Sequence, residues 1–524
     1  MNNKKIFLPI LMALVVASCT PIVNTSSGSS SSDSSSSSSS ESIPSSSSEI
    51  VSPNGWDNYY LPSSYNPEIT YQNLQKQMGT NSIPSVGENV NILVIPIEFT
   101  NYPFTDKILT NINIMFNGEP ADTKYWESVS SFYEKTSFGK LVMNFTVTPK
   151  YETGYTAAEA AALDTETDGT QYFSTNILRE AVADYKADNG ADSTKQFDSD
   201  GDGFIDAVWM IYSCHNYNND PVIKGISEDF WAYVFWDWQQ DGNVDSPNQN
   251  AYSWASYDFM AEGGLSSQID AHTYIHETGH LLGLDDYYNY DASTYKPTGG
   301  IDMMDYNITD HNVWSKMALG WVNPYVVTSN AEITINPAES SGDAILIADS
   351  WNGTAFDELM MLELYTPTGL NKLDSDSAYN NGAYPQGYTK AGVRLYHVDA
   401  RLANIKYSEV ADDWLFDRYV EPETLPIYDY DYVATAHSNS PSRSADPEFR
   451  FIHMIQAGKR NTFKTGSTGK NGDLFTTGKS FSMADYGAEF FKNGTSLNNG
   501  NTLGFSIQFV NVTSTSATIR IIDL

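Results

Sequence analysis

The sequence predicts an α+β fold through its first half and an all-β region through its second. Three observations predict it. Strands and helices alternate between residues 88 and 212, a pair of histidines four residues apart marks a helix near residue 276, and beyond Pro324 short alternating strands are separated by Gly, Asn, Ser and Asp turns.

Residues 90–99 (VNILVIPIEF) are an apolar, β-branched run that reads as a buried strand. Residues 122–135 read as a helix with Trp126, Val129, Phe132 and Tyr133 on one face, 141–148 as a strand, and 157–163 and 175–187 as helices. Residues 207–212 form another strand, and the aromatic stretch 230–238 (FWAYVFWDW) reads as a strand on the core whose rings also suit a substrate groove. Residues 311–321 (HNVWSKMALGW) are an amphipathic helix that closes this half. In the second half, residues 331–335, 344–347, 358–365, 393–398, 505–510 and 517–522 read as strands of a sandwich, interrupted by a long loop at 412–446. The expected organisation is a signal segment at 1–18, a stalk at 19–50, an extension at 51–87, an α+β domain at 88–325 and β-rich structure at 326–524.

A net charge of −36 lacks the basic footprint of a nucleic-acid binder and suits an exported protein with carboxylate-lined cation sites. Only Cys19 and Cys214 occur, so no disulfide framework is expected. Lys4 and Lys5 precede an apolar run at 6–17 that is too short to span a bilayer but has the layout of an export signal. Val16-Ala17-Ser18-Cys19 resembles a bacterial lipobox, which would start the mature chain at a lipidated Cys19 and anchor it to a membrane; ordinary cleavage near Ser18 is the alternative. Residues 26–49, nearly all serine, bury no apolar area and read as a flexible stalk.

The chemistry is concentrated in residues 273–288, TYIHETGHLLGLDDYY. His276 and His280 lie one helical turn apart and so share a face, which lets both imidazoles meet one metal ion, with Glu277 beside them. Gly283 can take φ > 0 and end the helix, turning the chain back to present a third ligand. Spacing favours Asp286, with Asp285 as a solvated neighbour or supporting partner. Only 8 histidines occur in 524 residues, so an accidental pair framing a glutamate is improbable. His272, a turn upstream, reads as a helix-face residue and not a ligand.

A second cation signal is Asp198, Asp200, Asp202, Gly203, the Phe204 carbonyl and Asp206, which match positions one, three, five, six, seven and nine of an EF-hand-type calcium loop. Trp209 stands where position twelve would supply a bidentate glutamate, so the loop leads into a strand; an Asp/Gly turn without an ion is the alternative. Downstream, residues 299–306 (GGIDMMDY) form a glycine-led turn in which Met304 supplies an apolar floor under a zinc site, as in metzincin-type proteases. Tyr306 stands where some such enzymes hold an oxyanion with a tyrosine; a packing role fits equally.

These motifs resemble the immune inhibitor A family of secreted bacterial zinc metalloproteases. The resemblance rests on HETGHLLGLDDYY, DMM at 302–304, HNVWSKMALGW, ILVIPIEF, SVSSFYEKTSFGKL and FDSDGDGFIDAV, with weaker echoes toward the C-terminus. Asp285 stands where the family often has proline, and Met303 where it usually has leucine. The lipobox and stalk are additions to a typical secreted form. The resemblance implies a metzincin-like catalytic domain, catalytic zinc, structural calcium, a β-sandwich-bearing C-terminal region and protein or peptide substrates. It implies a surface-tethered endopeptidase with His276, His280 and Asp286 as zinc ligands and Glu277 as general base. The rival expectation is a non-catalytic adhesin or glycan-binding lipoprotein built on the same scaffold, for which an intact Glu277 would have no use.

Overall fold

The computed structural model describes residues 57–60, 83–162, 173–216, 230–237, 240–261, 268–291, 294–348, 351–408, 413–420, 433–490 and 494–523. The signal segment, Cys19 and the serine tract lie outside the described residues. Both helices and several sheets are present, so the chain is α+β.

Six strands, β1 (Asp57–Tyr60) apart, make the first sheet: β2 (Gly87–Glu98), β3 (Leu141–Val147), β4 (Tyr151–Glu152), β5 (Val208–Tyr212), β6 (Tyr233–Trp236) and β7 (Ala251–Ser256). Its order is β3-β2-β5-β7-β6, with β4 also on β2, and every pairing is parallel except the edge pair β6 and β7. A mostly parallel sheet needs cover on both faces, and β2 shows why its sequence is almost continuously apolar. Ile92 and Val94 point into the core that contains the helices Asp106–Asn117, Val129–Thr136 and His272–Leu281, while Leu93, Ile95 and Ile97 point into a second core under Ala157–Ala161 and Phe173–Asn189. The aromatic stretch at 230–238 supplies β6, with Phe235 and Trp236 buried.

Residues 122–135 are not one helix. A short helix Pro120–Thr123 ends at Lys124, which takes the left-handed conformation (φ 59°), and a second begins at Val129. Ser128 caps the second helix: its hydroxyl accepts from the Ser131 N–H (3.1 Å) and its own N–H donates to Ser131 Oγ (3.0 Å). A serine at this position favours a helix start over a helix interior, and Trp126 is left in the break. The amphipathic segment 311–321 likewise forms only Val313–Ala318, because the Asn312 side chain accepts from Trp314 N (2.9 Å) and Ser315 N (3.1 Å) and fixes the start.

The second half is dominated by one nine-stranded sheet made of β8 (Tyr325–Ile335), β9 (Ile345–Ile347), β10 (Glu358–Tyr365), β11 (Gly392–Asp399), β15 (Ile452–Met454), β16 (Ser480–Ser482), β17 (Phe505–Val512), β18 (Ala517–Asp523) and β1, which pairs antiparallel with β8. Short helices such as Ala338–Ser341 and Lys372–Asp376 interrupt it. The stretch expected as a loop at 412–446 contains β13 (Asp413–Val420) and β14 (Val433–Thr435), which flank β12 (Leu402–Ser408) in a separate three-stranded sheet. β13 leaves Leu415, Phe416 and Tyr419 exposed, so it lacks the buried alternation by which a strand is recognised in sequence.

The nine-stranded sheet is not a separate body. On β10, Met360, Leu362 and Leu364 face a core of their own, whereas Leu359, Met361 and Tyr365 join the same core as Tyr274, Ile275 and Met304. A buried ion pair bolts this junction. Arg394 of β11 pairs with Glu363 of β10 and donates to the Ile301 carbonyl (3.2 Å), while Glu363 accepts from Tyr396 Oη (3.0 Å) and from the Val313 N–H at the start of a helix (3.1 Å). Removing one partner of a buried pair strands the other charge. Glu363→Ala is therefore expected to destabilise the protein by about 3–5 kcal/mol, read as a lower midpoint in urea unfolding, whereas a surface pair such as Lys372 with Asp376 should cost under about 1 kcal/mol.

Candidate metal centre

The helix His272–Leu281 is buried along its whole length, polar residues included. Gly283 adopts φ 100°, with Gly283 N donating to His280 O (2.9 Å) and Leu284 N to Gly279 O (3.0 Å). This pair of bonds is the Schellman arrangement that a glycine past a helix end permits. The chain then turns back beside its own helix and brings Asp286 to the histidines.

His276, His280 and Asp286 converge, all buried. The two Nε2 atoms are 3.1 Å apart, and Asp286 Oδ1 lies 3.0 Å from His276 Nε2 and 3.3 Å from His280 Nε2. Donors arranged tetrahedrally at about 2.0–2.1 Å from a zinc ion are about 3.3 Å from one another, so these separations suit a zinc-sized cation. The tautomers suit it too. His276 Nδ1 donates to Met303 O (2.7 Å) and His280 Nδ1 to Leu284 O (2.7 Å), which leaves both Nε2 lone pairs aimed at the shared point. Asp286 Oδ1 is buried without a hydrogen-bond donor although two ring nitrogens are close. Two imidazoles and one carboxylate are a donor set for a divalent ion such as zinc.

The turn 302–306 is the floor. Asp302 caps it by accepting from Met304 N (3.0 Å) and is itself fixed by Asn312 Nδ2 (2.9 Å); burial pushes its carboxyl up to about 7 despite the nearby Arg394. Met304 packs against Gly279, the residue before His280, so closely that a Cβ at Gly279 would stand 2.6 Å from Met304 Sδ. Met304 O accepts from Tyr287 N (2.7 Å), which fixes the residue next to Asp286.

Glu277 is buried beside the histidines with its Oε2 unpartnered, and burial raises its carboxyl above the ordinary range against the pull of His280 and His276. Two tyrosines that the sequence did not single out attend the site. Tyr290 Oη donates to Asp286 Oδ2, and Tyr288 stacks edge-on against Tyr290 with ring centroids 4.9 Å apart. A tyrosine four residues past a ligand carries no spacing signal of its own. Tyr306 is half-buried; its contacts include Lys296 Nζ, 3.6 Å from its ring centroid, and the Tyr384 ring at 6.1 Å, which is a packing environment. His272 points away from the centre, stacked between Trp126 and Tyr379 (both centroids 4.2 Å), with Nδ1 2.7 Å from Asp270 Oδ1 and Nε2 3.3 Å from Asp374 Oδ1. Burial would lower its pKa, yet the two carboxylates raise it to about 10.

The aspartate loop brings a second group of carboxylates together. Asp198, Asp200 and Asp206 bring carboxylate oxygens within 4.8 Å of one another. Asp202 stands outside that group; its Oδ1 accepts from Phe204 N (2.9 Å), much as Asp198 Oδ1 accepts from Gly201 N (2.8 Å) and Asp200 Oδ1 from Asp202 N (3.3 Å). Phe204 sits in an isolated parallel bridge to Asn248, and Trp209 is buried in β5, away from any ligand role. Asp206 is fully buried and burial, aided by Asp200 and Asp198, pushes its carboxyl up to about 8 against two hydrogen bonds from Ser199. The remaining thiol, Cys214, is buried; the adjacent His215 faces Asp258 (3.2 Å).

Compared with known protein families and with curated proteins, the chain matches none.

Asp286 gives the metal centre a proton-linked signature. Burial would lower the His280 pKa, but the Asp286 and Glu277 carboxylates raise it to about 10, whereas the Asp286 carboxyl is held well below its usual range by the same ring despite burial. At neutral pH the metal-free centre therefore carries a proton on His280, and a cation must displace it. Zinc titration by calorimetry in buffers of different ionisation enthalpy is expected to show release of about one proton at pH 7. Affinity should tighten as pH rises toward 10.

Proposed function

We propose that this protein is a zinc-dependent endopeptidase of the immune inhibitor A type, tethered to the outer face of a bacterial membrane through Cys19 and acting on extracellular proteins or peptides. The proposal includes a metzincin-like catalytic half, a structural calcium ion at Asp198, Asp200 and Asp206, and a sandwich-type β region. The observation that carries it is the pairing of a tautomer-fixed His276, His280 and Asp286 cluster with a buried Glu277 at its side whose Oε2 has no hydrogen-bond partner. A structural ion needs ligands but gains nothing from an adjacent carboxylate left without a partner, which costs about 1–3 kcal/mol or more to bury.

When bound, zinc supplies Lewis acidity to a water and to the substrate carbonyl. Glu277 would take the proton from the attacking water and return it to the departing amine, and burial raises its carboxyl above the ordinary range, the direction that strengthens a general base. Tyr290 holds Asp286 Oδ2, the oxygen not shared with the histidines, and Met304 packs against the helix at Gly279.

The exposed Leu415, Phe416 and Tyr419 of β13 are the feature that favours the second reading, a glycan- or protein-binding surface without catalysis. One variant separates the two. Glu277→Gln with zinc content unchanged is expected to lower casein cleavage by about 10²–10⁴-fold; zinc-loaded wild type that cleaves no protein substrate would leave the binding reading standing.

A further inference from the structure

Arg443 comes from the β-rich half, more than 150 residues after the metal ligands, yet it lies against the loop that carries Asp286. Its guanidinium carbon stands 4.0 Å from the centroid of the Tyr290 ring, and Tyr290 Oη binds Asp286 Oδ2. One aromatic side chain separates this cation from the centre. The contact is anchored on both sides: Tyr290 N donates to Ser440 Oγ (2.8 Å), Ser442 N to Asp291 Oδ2 (2.7 Å), and Asn439 Nδ2 to Tyr287 O (2.8 Å).

What sets Arg443 apart is its charge balance. Arg179, Arg394, Arg401, Arg418, Arg460 and Arg520 each lie within 4.0 Å of a carboxylate. Arg450 donates to the Pro447 (2.7 Å) and Phe449 (2.6 Å) carbonyls; among the described residues Arg443 has neither kind of partner, in a chain with 65 acidic and 29 basic residues. The nearby acids are otherwise engaged: Asp285 is hydrogen-bonded to Thr435, and Asp291 is held by Ser442 through its N–H and hydroxyl. A guanidinium held over a ring by its central carbon can still offer N–H groups in the fork geometry that grips a carboxylate. Arg443 is also only half-buried, so a ligand can reach it.

We propose that Arg443 determines specificity by binding a carboxylate of the peptide, either an acidic side chain near the scissile bond or a free C-terminus. The proposal rests on the peptidase reading. The overall charge of −36 repels acidic peptides, so a local cation beside the centre is what would admit them.

The test uses the zinc-loaded full chain and a peptide library with matched Glu and Gln at each position around the cleaved bond, each peptide made with free and amidated C-termini. Wild type is expected to prefer the carboxylate-bearing member of one matched pair by about tenfold in kcat/KM, the value of a single charge-assisted contact. Whether the Glu/Gln pair or the free/amidated pair carries the preference identifies the source of the carboxylate. Arg443→Gln should reduce that ratio to about one and Arg443→Lys should keep part of it, with zinc content measured for both because Arg443 touches the ring that holds Asp286. Equal cleavage of every matched pair by wild type, or an unchanged ratio in Arg443→Gln, overturns the proposal while leaving the peptidase reading intact. If zinc-loaded wild type cleaves no peptide, the peptidase reading fails and the proposal fails with it.

Discussion

Two hydrogen bonds from ring nitrogen to main-chain carbonyl decide what the centre of this protein can be. With His276 Nδ1 committed to Met303 O and His280 Nδ1 to Leu284 O, each imidazole has only Nε2 left to offer, and the two are brought to within 3.1 Å of each other beside an aspartate oxygen. Three electron-rich atoms so close repel unless a cation or a proton lies among them. The carbonyl partners come from opposite directions, one from the helix's own C-terminal turn and one from the turn at 302–306. The pocket therefore exists only when the helix end, the return loop and the methionine turn are all in place.

That dependence spreads outward through the buried polar groups. Asp302 shapes the methionine turn, Asn312 holds Asp302, and Arg394 and Glu363 of the nine-stranded sheet hold Ile301 and the helix that follows. Each group is buried and each has a partner, so the network specifies one arrangement where an apolar interface of the same size would tolerate several. The β-rich half is in this sense part of the wall around the histidine pair and Asp286.

Local patterns were readable in the sequence and distant ones were not. The histidine spacing, the glycine that ends the helix and the return to Asp286 follow from helix geometry over eleven residues, and the structure places all three as that geometry requires. The alternation of β10 and the continuous apolar run of β2 announce a sheet with a different environment on each face. Residues 122–135 misled because helical periodicity outweighed a serine at 128 that starts a new helix. Nothing local announces Arg443, Tyr290 or the carbonyls of Met303 and Leu284: backbone acceptors have no residue signature, and a contact across 150 residues has no spacing to recognise.

The contacts from Asn439 and Ser440 to Tyr287 and Tyr290 also fix an order of events during synthesis. The histidine helix emerges from the ribosome some 160 residues before the segment that clamps the loop bearing its third ligand. A nascent chain lacking that segment holds the ligands without the clamp, so assembly of the centre is timed to the last quarter of translation. The length of the polypeptide itself serves as the delay.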